Sequence, residues 1–155
     1  MTQSLAHIEL DLGDARPPSP ELMQEQRVAI FDLLEENSFA LPAGAPEGPY
    51  VLTLGRAGSR LSFHLTAGGA EAAGFELSLG PLRQIVKDYS QICASYYEAV
   101  KTAGAAEIEA LDEARRGIHH EGARALADRL DGRAMVDTET ARRLFTLVCV
   151  LLTED

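Results

Sequence analysis

Apolar residues recur at every second position in some stretches of this chain and at every third or fourth in others. The two periods divide it into elements. Over residues 5–12, LAHIELDL, Ala6, Ile8, Leu10 and Leu12 alternate with His7, Glu9 and Asp11, which predicts a strand with one buried face. GDARPPSP follows as a linker rich in proline and turn formers. Its last two residues, Ser19 and Pro20, make a helix start, because the hydroxyl caps free N–H groups and proline lacks one there. The helix predicted from Pro20 to about Glu36 buries Met23, Ile30, Leu33 and Leu34, with Phe31 beside them.

The stretch SFALPAGAPEGP reads as a loop, and three strand candidates come after it: 49–54, 59–65 and 74–79. SRLSFHL alternates Leu61, Phe63 and Leu65 against Arg60, Ser62 and His64, while 66–74 reads as a glycine- and alanine-rich loop. An antiparallel meander is the economical reading, with the N-terminal strand added at an edge. From Pro81 the period becomes helical. Leu82, Ile85, Val86, Tyr89, Ile92, Cys93, Tyr96 and Val100 form a long apolar stripe, suited to packing across the sheet. Another helix begins near Ala105, and a last one at Asp137 runs through Leu144, Phe145, Val148, Cys149, Leu151 and Leu152. The expected fold class is α+β in a single domain over 1–155. A small antiparallel sheet of three to four strands is packed by the long amphipathic helix, and the C-terminal half is helical.

Composition narrows the class of protein. Hydrophobic residues at 46% and charged ones at 25% are globular values. No stretch approaches the roughly 18 apolar residues of a membrane span. The N-terminus turns acidic by Glu9 without a signal-like apolar run, so a cytoplasmic protein is expected. A net charge of −10 argues against nucleic acid or an anionic membrane as a partner. Cys93 and Cys149 sit in apolar helical patterns and are expected to be buried, reduced thiols.

The charge is unevenly spread. Residues 1–50 carry nine acids (Glu9, Asp11, Asp14, Glu21, Glu25, Asp32, Glu35, Glu36 and Glu47) against Arg16 and Arg27. Residues 115–143 carry seven arginines against five acids. Arginine, rather than lysine, suits two-pronged contacts to carboxylate and phosphate. The segment ARRGIHHEGARALADRL, residues 114–130, concentrates that chemistry. If Gly117 ends one helix, Arg115 and Arg116 complement its C-terminal dipole and stand beside the free N–H groups of the next helix, a ready anion site. His119 or His120 would then add a titratable donor near neutral pH, with Glu121 alongside. Yet Ile108, Leu111, Arg115, Ile118, Gly122, Ala125 and Arg129 keep one helical period through both glycines. A continuous helix would cost about 1 kcal/mol per glycine. The reading taken forward is a break at Gly117, with Arg115 or Arg116 paired to an acid from residues 1–50. Arg142 and Arg143 oppose the dipole of the last helix and call for acidic partners, such as Glu35 and Glu36, or an anion.

Other chemistries fit poorly. His7, Glu9, Asp11 and His64 could share one side of the sheet, but their spacing matches no compact ligand motif, and no metal or other cofactor is expected. There is no GxSxG elbow, and neither Gly68-Gly69 nor Leu79-Gly80-Pro81 is a nucleotide fingerprint. Tyr89, Tyr96 and Tyr97 are read as core tyrosines whose hydroxyls find partners.

Four stretches, QRVAIFDLLEENSFALP, VKDYSQICASYYEAVKTA, EARRGIHHEGARALADRL and DTETARRLFTLVCVLL, together resemble the bacterial UPF0262 family, over nearly the whole chain. The resemblance implies no assigned activity, cofactor or catalytic residue. Members of that family usually read RRGLHNEG where this chain has RRGIHHEG, so His120 stands at an asparagine position. Two functions follow as expectations. One is a non-catalytic binding or regulatory module acting through a protein partner or a small anionic ligand. The other is an enzyme in which Arg115, Arg116, His119, His120 and Glu121 bind a phosphate- or carboxylate-bearing substrate and exchange protons with it.

Overall fold

The computed structural model describes residues 3–13 and 17–152, so linker residues 14–16 lie outside the described residues. In chain order the elements are β1 (Leu5–Asp11), α1 (Pro20–Glu35), β2 (Phe39–Ala40), β3 (Tyr50–Ala57), β4 (Arg60–Ala67), β5 (Ala70–Ser78), α2 (Gly80–Thr102), α3 (Ala105–Leu130), β6 (Met135–Val136) and α4 (Thr138–Leu152). The class is α+β, as the two periods predict.

The main sheet has the order β1-β3-β4-β5. β3, β4 and β5 form the expected antiparallel meander, but β1 pairs with β3 in parallel, which corrects the all-antiparallel expectation. The cause is α1. A helix between two neighbouring strands carries the chain back to its starting end, and only a hairpin would have reversed it. Leu52, Leu54, Leu61, Phe63 and Leu65 form the buried face. β1 also departs from simple alternation. Leu5 faces Tyr50 and His7 faces Val51, so Ala6 is a bulged extra residue; Leu5 and Ile8 are the buried pair and Ala6 is exposed. The supposed loop at 66–74 is mostly strand. Gly68 and Gly69, at φ 59° and 82°, make a two-residue turn, and the pairing runs on through Ala70, Ala73 and Gly74. Within the supposed loop after α1, Phe39 and Ala40 pair with Val136 and Met135.

Ser19 caps α1 as expected, its hydroxyl accepting from Leu22 N at 3.2 Å. The buried face of α1 differs from the expected one. Ala29 and Leu33 point inward against α4, and Phe31 and Leu34 are 63% and 45% exposed. A small residue at 29 lets the two helices approach, and turns the bulkier positions outward. At its C-terminal end, no arginine pairs with Glu35 or Glu36 among the described residues. Asn37 closes that end, donating to Leu33 O at 2.6 Å and accepting from Leu5 N at 2.7 Å.

α2 buries Leu82, Val86, Tyr89 and Cys93 along its stripe, contributes to the core beneath the sheet, and packs along α3. α4 is buried on almost every side, from Thr140 to Leu151, and touches α1, α2, α3 and β3. Asp137 caps it, accepting from Thr140 N at 2.8 Å. α3 is unbroken through Gly117, which corrects the expected break there. Gly117 is exposed and sacrifices only intrinsic propensity, while Ala123, Leu126 and Leu130 further on are buried. Gly122 is different: the ring of Phe145 from α4 lies directly against it. No helix among the described residues is long and apolar enough to cross a membrane.

Candidate functional site

Because α3 is continuous, Arg115, Arg116 and His119 share one of its faces, and that face looks across at α1 and α4. The three helices, with Tyr89 of α2, line an open cavity of about 430 Å³. α4 presents Glu139, Arg142, Arg143 and Thr146 at helical spacing, and α1 presents Glu25 and Asp32. Of the residues predicted to form a site, Arg115, Arg116 and His119 line this cavity. His120 and Glu121 are exposed and do not, since the next two positions turn away from that face.

The arginines are held by carboxylates, though not by the expected ones. Arg115 Nη2 donates to Asp112 Oδ1 at 2.6 Å, and Arg116 Nε lies 3.3 Å from Asp112 Oδ2. Their partner comes from one turn earlier in α3, not from residues 1–50. The Arg115 guanidinium also lies 4.5 Å from the centre of the Tyr96 ring. Burial is the largest single influence and works against its charge. The hydrogen bond to Asp112, together with the charge interactions with Tyr89, Asp112 and Cys93, outweighs it and raises the pKa. The same bond lowers that of Asp112. Arg143 reaches Asp32 of α1 at 3.6 Å and Glu139 at 3.5 Å, and Arg142 reaches Glu139 at 3.3 Å. Asp32 therefore takes the role expected of Glu35 and Glu36.

His119 sits edge-on to Phe145 and Tyr89, with ring centres 5.2 and 5.1 Å away. Its Nε2 is 2.8 Å from Thr146 Oγ1, and that hydroxyl is 3.4 Å from the carbonyl of Arg142. The short contact to Thr146 ties the ring to α4, and Nδ1 has no hydrogen-bond partner among the described residues. Burial, with the positive charges of Arg142 and Arg115, pulls the imidazole pKa down to about 4. In place of the titratable donor expected near neutral pH, the cavity thus holds a neutral ring. Three nitrogens in the walls of this cavity, Arg115 Nε, Arg142 Nε and His119 Nδ1, are buried without a hydrogen-bond partner.

Glu25 escaped the sequence reading, which registered it only in a charge count. Its two oxygens accept from Tyr89 and Tyr97 hydroxyls, each at 3.0 Å. Burial and then the charge of Glu25 push both phenols above their ordinary range. No arginine, lysine or histidine pairs with Glu25 among the described residues. The histidines of the sheet are engaged elsewhere: His7 pairs with Glu9 at 3.3 Å and His64 with Glu71. No cluster of three or more metal-ligating side chains is present among the described residues.

These features define a small α+β protein with a polar cavity among its helices, richer in arginine than in acid. The profile of an uncharacterised protein family, UPF0262, matches residues 2–154, and the chain belongs to that family. It is similar to the UPF0262 protein of Ruegeria pomeroyi, 59% identical over 97% of this chain and 98% of the relative. A UPF0262 protein of Cereibacter sphaeroides is 60% identical over 95% and 96% of the two chains. That of Paracoccus denitrificans is 56% identical over 98% and 99%. No solved structure matches.

Proposed function

We propose that the protein binds a small molecule carrying a phosphate or carboxylate group in the cavity between α1, α3 and α4. The observation that supports this is the set of unpartnered buried nitrogens in its walls. A buried donor without a partner costs about 1–3 kcal/mol, and two arginine donors lie within one cavity of a size common for ligand sites. An anion that draws the two guanidinium groups toward it removes that cost.

Binding fits the geometry better than catalysis. Thr146 and His119 resemble a hydroxyl–imidazole pair, but the imidazole Nδ1 has no carboxylate to orient it. Thr146 is only 9% exposed and lies within hydrogen-bonding reach of the carbonyl one turn back. Nor is His119 protonated at neutral pH to act as an acid.

Calorimetric titration with inorganic phosphate and with acetate tests the reading. Wild type is expected to bind at least one of them, and Arg142→Gln and Arg115→Gln to lose about tenfold or more in affinity. Absence of heat with both anions, or equal binding by the variants, would remove the proposal.

A further inference from the structure

The cavity presents unlike charges from different helices. On the α3 and α4 side are Arg115 and Arg142, each with a buried Nε that donates to nothing. On the α1 side is Glu25, partly buried, with hydroxyls on both oxygens and no cation paired to it among the described residues. The other two carboxylates of the lining, Asp32 and Glu139, are already paired with Arg143 and Arg142. Glu25 is therefore the one lining carboxylate whose charge is left for something else. Two phenol donors hold it in place without neutralising it. A partly buried carboxylate held this way attracts a positive group more strongly than one fully in water does. The neutral His119 supplies a third cue, since an uncharged ring in the lining repels no cation.

We infer that the ligand is zwitterionic: a primary ammonium faces Glu25 while its phosphate or carboxylate faces Arg115 and Arg142. This rests on the reading of the cavity as an anion site and narrows it to amino acids and amino-bearing phosphate esters. A purely anionic ligand would leave Glu25 in the same lining confronting it with like charge.

Matched pairs of probes test the inference on the wild-type protein. 2-Aminoethyl phosphate is compared with ethyl phosphate, and 3-aminopropionate with propionate, by calorimetry at pH 7. The amino member of at least one pair is expected to bind about tenfold tighter or more. The pair that shows this identifies the anion as phosphate or carboxylate. Glu25→Gln, which keeps an oxygen for one tyrosine hydroxyl, is expected to bring the two members within about twofold of each other while preserving the affinity for the amine-free probe. Where that variant does not fold, the wild-type comparison decides alone. Equal affinities within both pairs overturn the zwitterion and leave the anion reading standing, as does a preference that persists in Glu25→Gln. No binding of any of the four probes overturns both.

Discussion

The ring of Phe145 lies against the backbone of Gly122, so that a Cβ there would stand 2.1 Å from its Cζ. Phe145 is fully buried and has nowhere to swing. Five residues earlier on the same helix, a Cβ at Gly117 would meet nothing within 4 Å. The two glycines should therefore respond oppositely to alanine. Gly122→Ala is expected to cost about 1–3 kcal/mol or more through overpacking. Gly117→Ala is expected to gain about 0.5–1 kcal/mol by improving helix propensity. Urea unfolding of both variants checks this; effects of the same sign would refute the account of α3 as one helix pinned at Gly122.

Acid should reach the protein through His119. The folded chain keeps this ring neutral down to about pH 4, whereas an unfolded chain protonates it near its ordinary value of about 6.5. Between those values the unfolded state holds the extra proton. The stability linked to neutral His119 is therefore whole above the upper value and is lost as pH falls toward the lower one. The urea midpoint of wild type is expected to fall through this window more steeply than that of His119→Gln. The Hε1 resonance of His119 should titrate near 4; a midpoint between 6 and 7 would contradict the geometry.

Cys93 and Cys149 are buried thiols that form no disulfide. Burial pushes the Cys93 thiol up to about 11 and that of Cys149 well above its ordinary value. At pH 8 only about one Cys93 in a thousand is then a thiolate. Iodoacetamide is expected to leave both unmodified in the native protein and to modify both in urea, followed by mass spectrometry. Rapid native labelling would show that α2 or α4 opens.

The hairpin between β4 and β5 depends on left-handed backbone at Gly68, φ 59°. Gly68→Ala should cost about 1–2 kcal/mol. Gly68→Asn should cost less, since asparagine tolerates that region and suits this turn. Thermal unfolding distinguishes them, and equal losses would mean that the turn changes type.

Local signals carried much of this fold. The Ser19-Pro20 start, the stripe through Leu82, Val86, Tyr89 and Cys93, and the alternation at Leu61, Phe63 and Leu65 each report a single element to which only a few residues contribute. What eluded the sequence depends on comparisons between elements. Whether Gly117 ends a helix is decided by what α3 buries thirteen residues later at Leu130, and not by glycine itself. The outward turn of Phe31 follows from Ala29 fitting α4. For the site, the pattern around Arg115, Arg116 and His119 was visible because those residues are neighbours in sequence, and Arg142 and Arg143 stood out because they oppose a dipole. Glu25 gave no such sign. Its tyrosine partners lie 64 and 72 residues away.

The burial of α4 has a consequence for how the protein is made. A ribosome delivers β1 first and α4 after every other described element. Yet α4 is the helix around which α1, α2 and α3 assemble, and its Thr140 side chain binds Ser38 N across 102 residues. Until residues 138–152 clear the exit tunnel, α2 and α3 can pack on each other, but all three helices lack the partner they share. The nascent chain carries part of those surfaces uncovered until then, and its native core closes only after α4 has emerged.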